Sequence, residues 1–245
     1  MFAFHLIMEK KQAIFCWSGG KDSSLALYEI LQQGEYQIKY LLTTVNENFK
    51  RISMHGVREE LLDKQAESIG IPLKKMFVKE GSYEEYERNM ETLLLKAKEE
   101  GINYVIFGDI FLEDLKKYRE DNLAKVNMLA VFPLWKKDTT TLITNFIALG
   151  FKTITCCTND LYLGENMVGA EIDQDFLQQL PENVDACGEN GEFHSFCFDG
   201  PIFKYPITFT IGEKIYKPLE VKGDGVCSSE IKTKGFWYCD LIPGN

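Results

Sequence analysis

No Cys-x-x-Cys pair occurs in this 245-residue sequence. Its seven cysteines fall at positions 16, 156, 157, 187, 197, 227 and 239. Their odd number and their spacing supply neither the framework of a small secreted protein nor a standard zinc site, so the cytoplasm is the expected compartment. Most of them read as small buried hydrophobes. Basic charge is scarce as well. The 27 Lys and Arg stand against 37 Asp and Glu, a formal charge of -10, which argues against an extended nucleic-acid surface. Hydrophobic runs stay short: none approaches the ~20 residues of a membrane span. The apolar opening Met1 to Met8 lacks a basic start and is followed by Glu9-Lys10-Lys11, a poor secretory signal; it reads as an extension ahead of Met8 or as a piece of edge strand. Repeats and low-complexity tracts are also missing.

What is present is a globular composition, 45% hydrophobic, enough to bury one large core or two of moderate size. From Gln12 to about Ala130, short apolar strands alternate with amphipathic helices. Strands are expected at Gln12 to Trp17, Ile38 to Val45, Leu73 to Val78 and Tyr104 to Gly108. This is the pattern of a parallel α/β sheet. One helix runs from Val57 to Ile69, with Val57, Leu61, Leu62, Ala66 and Ile69 on one face, Gly70 as the stop and Pro72 beyond. Another begins at Ser82, with Glu85 as capping-box partner, and closes at Gly101. Past Phe132-Pro133-Leu134-Trp135 the texture changes: a helix at Asp138 to Leu149 leads into a β-rich run at Lys152 to Thr158. We therefore expect a doubly wound α/β domain over 1–130 and a smaller α/β domain over 131–245. The tail from Tyr205 is expected to be β structure, with strands at Ile207 to Ile211 and Gly235 to Leu241.

Between the first strand and a helix expected from near Ser24 lies Ser18-Gly19-Gly20-Lys21-Asp22-Ser23. Two glycines let backbone N–H groups approach an anion, and the helix start adds unpaired donors and a positive dipole end. Lys21 contributes a mobile charge, and Ser18 and Ser23 contribute hydroxyls. A Walker A loop is excluded, because Phe15 stands where its first glycine belongs and Asp22 where its Ser or Thr belongs. The segment resembles instead the PP-loop of the N-type ATP pyrophosphatases, which cleave ATP between the α and β phosphates. Ligands of such sheets bind off the carboxyl ends of the strands. Thr43, Thr44, Val45 and Asn46 after the second strand, and Gly108-Asp109 after the fourth, should converge with this loop on one nucleotide site.

A second dense cluster is Cys187-Gly188-Glu189-Asn190-Gly191-Glu192-Phe193-His194. Carboxylates on a glycine turn can orient an amine, bind magnesium or act as bases; the same segment also reads as a surface turn into a strand at Phe193 to Phe198. Together with the PP-loop, Gly108-Asp109-Ile110, Tyr118 to Asn122 and Pro133-Leu134-Trp135, it resembles the diphthine-ammonia ligase family over about Gln12 to Lys204. Two positions depart from the family pattern: Asn190 replaces a glycine and His194 an acidic residue. His55 agrees with a histidine of archaeal-type members, but the Gly-Val-Arg after it does not.

The resemblance implies ATP-dependent amidation of a carboxylate by free ammonia, the acceptor being diphthine on elongation factor 2 or another carboxylate. ATP binding is expected at Ser18, Gly19, Gly20, Lys21, Asp22, Ser23, Thr44, His55 and Asp109. Magnesium is expected on Asp22 and Asp109, and catalysis by Lys21, Asp22, Glu189 and Glu192, with the two glutamates holding the acceptor. Phe193, Phe196 or Trp135 could add cation–π attraction, and His194 could deprotonate ammonium. Two other readings use the same loop: transfer-RNA thiolation or lysidine formation, and a non-catalytic nucleotide-binding module. Thiolation commonly needs paired reactive cysteines, and only Cys156-Cys157 are adjacent.

Overall fold

The computed structural model describes residues 9–52, 55–79, 83–219 and 234–244. The opening Met1 to Met8, the cap at Ser82 and Cys227 lie outside them. Five strands run parallel: β1 (Lys11–Cys16), β2 (Tyr36–Asn46), β4 (Leu73–Val78), β5 (Tyr104–Ile106) and β6 (Leu129–Val131). The two-residue β3 (Arg51–Ile52) pairs antiparallel with the end of β2. In space the parallel strands follow the order β4-β2-β1-β5-β6. The chain thus builds outward from β1 to one side, then returns to build the other. This reversal places a topological switch point between β1 and β5, where a crevice opens off the strand ends.

Strand alternation explains the double winding. Ala13 and Phe15 on β1 face a core shared with α1 (Lys21–Gln33), α2 (Glu59–Ile69) and α5 (Thr139–Ala148). Ile14, between them, faces the opposite core with α3 (Tyr83–Glu99) and α4 (Glu113–Lys125). Period-two strands buried on both faces require apolar residues at successive positions, which is why β1 reads Ala-Ile-Phe.

The second sheet is antiparallel, in the order β8-β7-β10-β9, built from β7 (Lys152–Asn159), β8 (Phe193–Asp199), β9 (Phe209–Pro218) and β10 (Gly235–Pro243). A 3-10 turn (Glu165–Met167) and the short α6 (Gln174–Gln179) fill the connection from β7 to β8. Ile154, Phe196 and Cys197 of this sheet join the same buried cluster as Phe15 and Leu27, so apolar packing is continuous between the two sheets.

The α/β class and the parallel doubly wound sheet agree with the sequence reading. Three details differ. Helix α1 starts at Lys21 rather than near Ser24, because Gly20 takes the extended N-cap conformation; Lys21 and Asp22 therefore sit in its first turn. Strand β9 begins at Phe209 and runs to Pro218, pairing with β10 over most of its length. The mostly polar α4 was not legible as an amphipathic helix, since among its residues only Leu123 is fully buried. No helix among the described residues is long and apolar enough to cross a membrane.

Candidate active site

A cavity of about 760 Å³ opens at the switch point, within the size range of small-molecule sites. Ser18, Lys21, Asp22, Ser23, Thr44, His55, Asp109 and Glu189 all line it. The sequence-derived residues from five separate segments therefore meet. Toward α3 and α4 the lining turns apolar, with Leu42, Val78, Met90, Leu94, Phe107 and Leu123.

At the PP-loop the geometry is that of an anion cradle. The N-cap Gly20 makes no side-chain cap bond, so no capping side chain closes off the start of α1. The Ser18 hydroxyl accepts from Gly20 N at 3.3 Å and lies 3.1 Å from the Ser23 hydroxyl. Neither glycine can be replaced cheaply. Gly19 has φ +78°, and a Cβ at Gly20 would lie 2.9 Å from the Ser195 carbonyl oxygen.

The loop is anchored to the second sheet by residues the sequence did not flag. Lys21 N donates to the Ser195 hydroxyl at 3.1 Å, and Cys197 N donates to the Gly19 carbonyl at 2.8 Å. Gln65, fully buried on α2, donates to the carbonyls of Gly19 (3.0 Å) and Cys197 (2.6 Å) and accepts from the Trp17 indole (2.9 Å). A buried glutamine inside an amphipathic helix pattern was the one available signal.

Lys21 is buried, with Nζ 2.8 and 2.7 Å from the two carboxylate oxygens of Asp22. Burial pushes the Lys21 ammonium down, but Asp22 and the other acidic groups around it outweigh that, and its pKa ends raised. Lys21 therefore carries its charge. Burial raises the pKa of Asp22, with Asp185 adding to it and Lys21 opposing. Asp109 pairs with Arg119 on α4, Nε to Oδ2 at 2.7 Å and Nη2 to Oδ1 at 3.1 Å. Among the described residues no group of three or more His, Cys, Asp or Glu is arranged as a metal cage.

The two glutamates of the glycine turn part company. Glu189 faces the cavity and its Oε1 accepts from Ile110 N at 2.8 Å. Burial first, then the charges of Asp22 and Asp109, push its carboxyl up to about 7. Glu192 is 1% exposed and does not line the cavity. Its Oε1 accepts from Asp185 N and the Asn190 amide, and its Oε2 from Asn190 N. Gly188 (φ +68°) and Gly191 (φ +84°) supply the left-handed turns that let the chain wind around this carboxylate. Asn190, the departure from the family pattern, thus contributes both a backbone and a side-chain donor to Glu192.

His55 and His194 stack, ring centroids 4.7 Å apart, and His55 Nδ1 lies 3.1 Å from the Ser195 carbonyl oxygen. Burial lowers both imidazoles, to about 4 and about 3, so both are neutral near pH 7. The Thr43 hydroxyl and His194 Nε2, both on cavity-lining residues, are buried without a hydrogen-bond partner among the described residues. Such orphaned polar atoms call for a ligand or water. Of the aromatic residues considered for cation–π contact, Phe193 lines the cavity with Lys21 Nζ 5.4 Å from its ring centre. Phe196 is fully buried and Trp135 packs on Phe132; neither lines the cavity. Burial pushes the Cys16 and Cys157 thiols up to about 12 and the Cys156 thiol well above its ordinary value, which keeps them protonated and poorly nucleophilic.

A Ser-Gly-Gly-Lys-Asp-Ser cradle at the switch point of a doubly wound sheet defines a PP-loop, ATP-binding α/β enzyme. Residues 11–128 match the diphthamide synthase N-terminal domain and residues 138–226 the diphthamide synthase C-terminal domain. The chain belongs to the diphthamide synthase family and is a ligase that forms carbon–nitrogen bonds. Among its relatives, the diphthine–ammonia ligases of Mus musculus and Danio rerio are each 27% identical, over 224 and 225 residues. Those alignments cover 81% of this chain and 82% and 86% of the relatives. The Homo sapiens diphthine–ammonia ligase is 24% identical over 221 residues, 81% of this chain and 82% of its own. A U34-tRNA thiolase structure from Methanococcus maripaludis overlaps 58% of this chain and 57% of its own, at 18% identity and a TM-score of 0.35, too partial a likeness to bear on function.

Proposed function

We propose that this ligase adenylates a carboxylate and then amidates it with free ammonia in the cytoplasm, the acceptor being diphthine of elongation factor 2 or a carboxylate of similar shape. One observation carries the reading: the PP-loop and Glu189 share a single switch-point cavity. The 1–130 part binds nucleotide, and the 131–245 part supplies the Glu189 turn. The adenine ring of ATP lies in the apolar lobe by α3 and α4, and the β and γ phosphates rest on the N–H groups of α1.

The acceptor carboxylate attacks the α-phosphorus, and pyrophosphate departs into the Ser18 to Ser23 loop. Lys21 turns from Asp22 toward the phosphates and neutralises the charge that builds there. Asp22 fits magnesium, since its carboxylate faces the cavity beside the cradle and Mg²⁺ needs only one or two protein carboxylates alongside phosphate oxygens. When bound, the ion screens phosphate charge. Asp109 would be the second carboxylate: it lines the same cavity, its Oδ1 accepts from Arg119, and its Oδ2, though ion-paired with that guanidinium, is buried without a hydrogen bond among the described residues. Glu189, poised near neutrality, takes the proton from the incoming nitrogen nucleophile, and AMP leaves as the amide forms. Glu192 acts through Glu189 by shaping the turn, which revises the acceptor contact expected of it from sequence. Buried, protonated thiols disfavour the thiolation alternative.

Incubation with ATP, magnesium, ¹⁵N-ammonium and extract protein should yield AMP, pyrophosphate and one labelled acceptor. Lys21→Met should abolish pyrophosphate release. ADP as product, or turnover unchanged in Lys21→Met, would overturn the reading.

A further inference from the structure

Strand β10 begins past residue 226, where the match to the diphthamide synthase C-terminal domain stops, yet it contacts the segment that carries the cavity-lining His55. Asp240 on β10, whose side chain is 16% exposed, accepts from both ends of the segment that carries His55. Arg51 Nη2 donates at 2.9 Å, and Arg58 Nε and Nη2 donate at 3.0 and 2.7 Å. Arg51 also donates from Nη1 to the carbonyl of Gly56, the residue after His55, at 2.7 Å. Tyr238, two residues before Asp240, packs so tightly on Gly56 that a Cβ there would lie 2.7 Å from the ring.

At its other side the segment touches the cradle. His55 donates from Nδ1 to the Ser195 carbonyl, stacks on His194, and presents Cε1 at 3.1 Å from where a Gly20 Cβ would be. Ser195 in turn accepts from Lys21 N. A continuous path of contacts therefore leads from Asp240 to the PP-loop. The Arg58 fork on the carboxylate, and the Arg51 fork shared between that carboxylate and the Gly56 carbonyl, fix orientation as well as distance, which a simple apolar dock would not.

We propose that Asp240 is a positioning residue for the ATP site: through Arg51 and Arg58 it holds His55 against Ser195 and Gly20, and so sets the shape of the phosphate end of the cavity. The proposal rests on the reading of this cavity as an ATP site. It gives the C-terminal strand a task in nucleotide binding and separates that task from mere docking. Docking has its own contact, since Lys64 Nζ on α2 donates to the Gly244 carbonyl at 2.7 Å without touching the His55 segment.

The test measures ATP affinity of the full chain by titration calorimetry in Asp240→Ala, His55→Ala, the double variant and Lys64→Ala. Misplacing the loop should weaken ATP about tenfold in Asp240→Ala, the double variant should bind no worse than His55→Ala, and Lys64→Ala should match wild type within twofold. Asp240→Asn, a near-isostere, serves if the alanine variant does not fold, with a loss of about threefold expected from the weaker neutral bonds. Effects that multiply in the double variant, or an equal loss in Lys64→Ala, would overturn the proposal. A second readout needs no nucleotide: the His55 imidazole, followed by NMR, should titrate closer to 6.5 once Asp240 is replaced. An unchanged His55 titration in both Asp240 variants overturns the proposal, whereas failure of the wild type to bind ATP overturns the reading of the site.

Discussion

Replacing Glu189 with glutamine should make the protein more heat-stable at pH 8 and leave it unchanged near pH 4.5. In the folded chain, burial and the neighbouring Asp22 and Asp109 push this carboxyl up to about 7 from its ordinary 4.5. Between those values the unfolded chain has released the proton and the folded chain has kept it. The unfolded state then binds fewer protons, so stability falls as pH rises through this window, and the loss is complete above about pH 7. Unscreened, a displacement of that size corresponds to about 3 kcal/mol. The side chain is only partly buried and opens onto the cavity, so screening reduces this to ~1–2 kcal/mol. For a chain of this length that is a rise in midpoint of roughly 3–6 °C. Glutamine keeps the oxygen that accepts from Ile110 N, so the comparison isolates charge. Scanning calorimetry of both proteins from pH 4.5 to 8.5 reads the effect directly. Melting curves that stay parallel across the range, or a variant less stable at pH 8, would refute the argument that Glu189 is a strained, neutralisable base. The same substitution should remove ammonia-dependent turnover while pyrophosphate exchange persists.

Gln65→Leu should lower stability by about 3 kcal/mol, because it strands the Gly19 and Cys197 carbonyls and the Trp17 indole in a buried site; a urea midpoint equal to wild type would show that the glutamine is no anchor. Glu192→Gln removes the charge that accepts from Asp185 N, Asn190 N and the Asn190 amide, and should cost about 2 kcal/mol. Its ATP affinity should stay within twofold of wild type while acceptor turnover drops, since Glu189 rather than the nucleotide depends on the turn; an equal loss of ATP binding would place Glu192 at the nucleotide.

The strand-to-helix junction at Ser18 to Ser23 was legible in the sequence because its chemistry is local: two glycines, a lysine and two hydroxyls act within a few residues of backbone. The strands of the parallel sheet were legible for a related reason, since a strand buried on both faces must be apolar at consecutive positions, as β1 is. Family resemblance rested on such short segments too. Glu189 and Glu192 could not be told apart in this way. They lie three positions apart on a polar turn, and only the winding imposed by Gly188 and Gly191 sends one carboxylate into the cavity and the other onto backbone N–H groups. Lys21 meets Ser195 across 174 positions and Gln65 meets Cys197 across 132; no periodicity encodes such pairs. Nor did local sequence show that Asp109 is ion-paired with Arg119, which α4 brings onto it. The sequence alone determined that a PP-loop stands at the end of the first strand, because such a loop is made by neighbours. The tertiary structure decided which carboxylate faces it, what holds it rigid and how far the C-terminal strand reaches to support it, because those are properties of residues that meet only after the two sheets have packed.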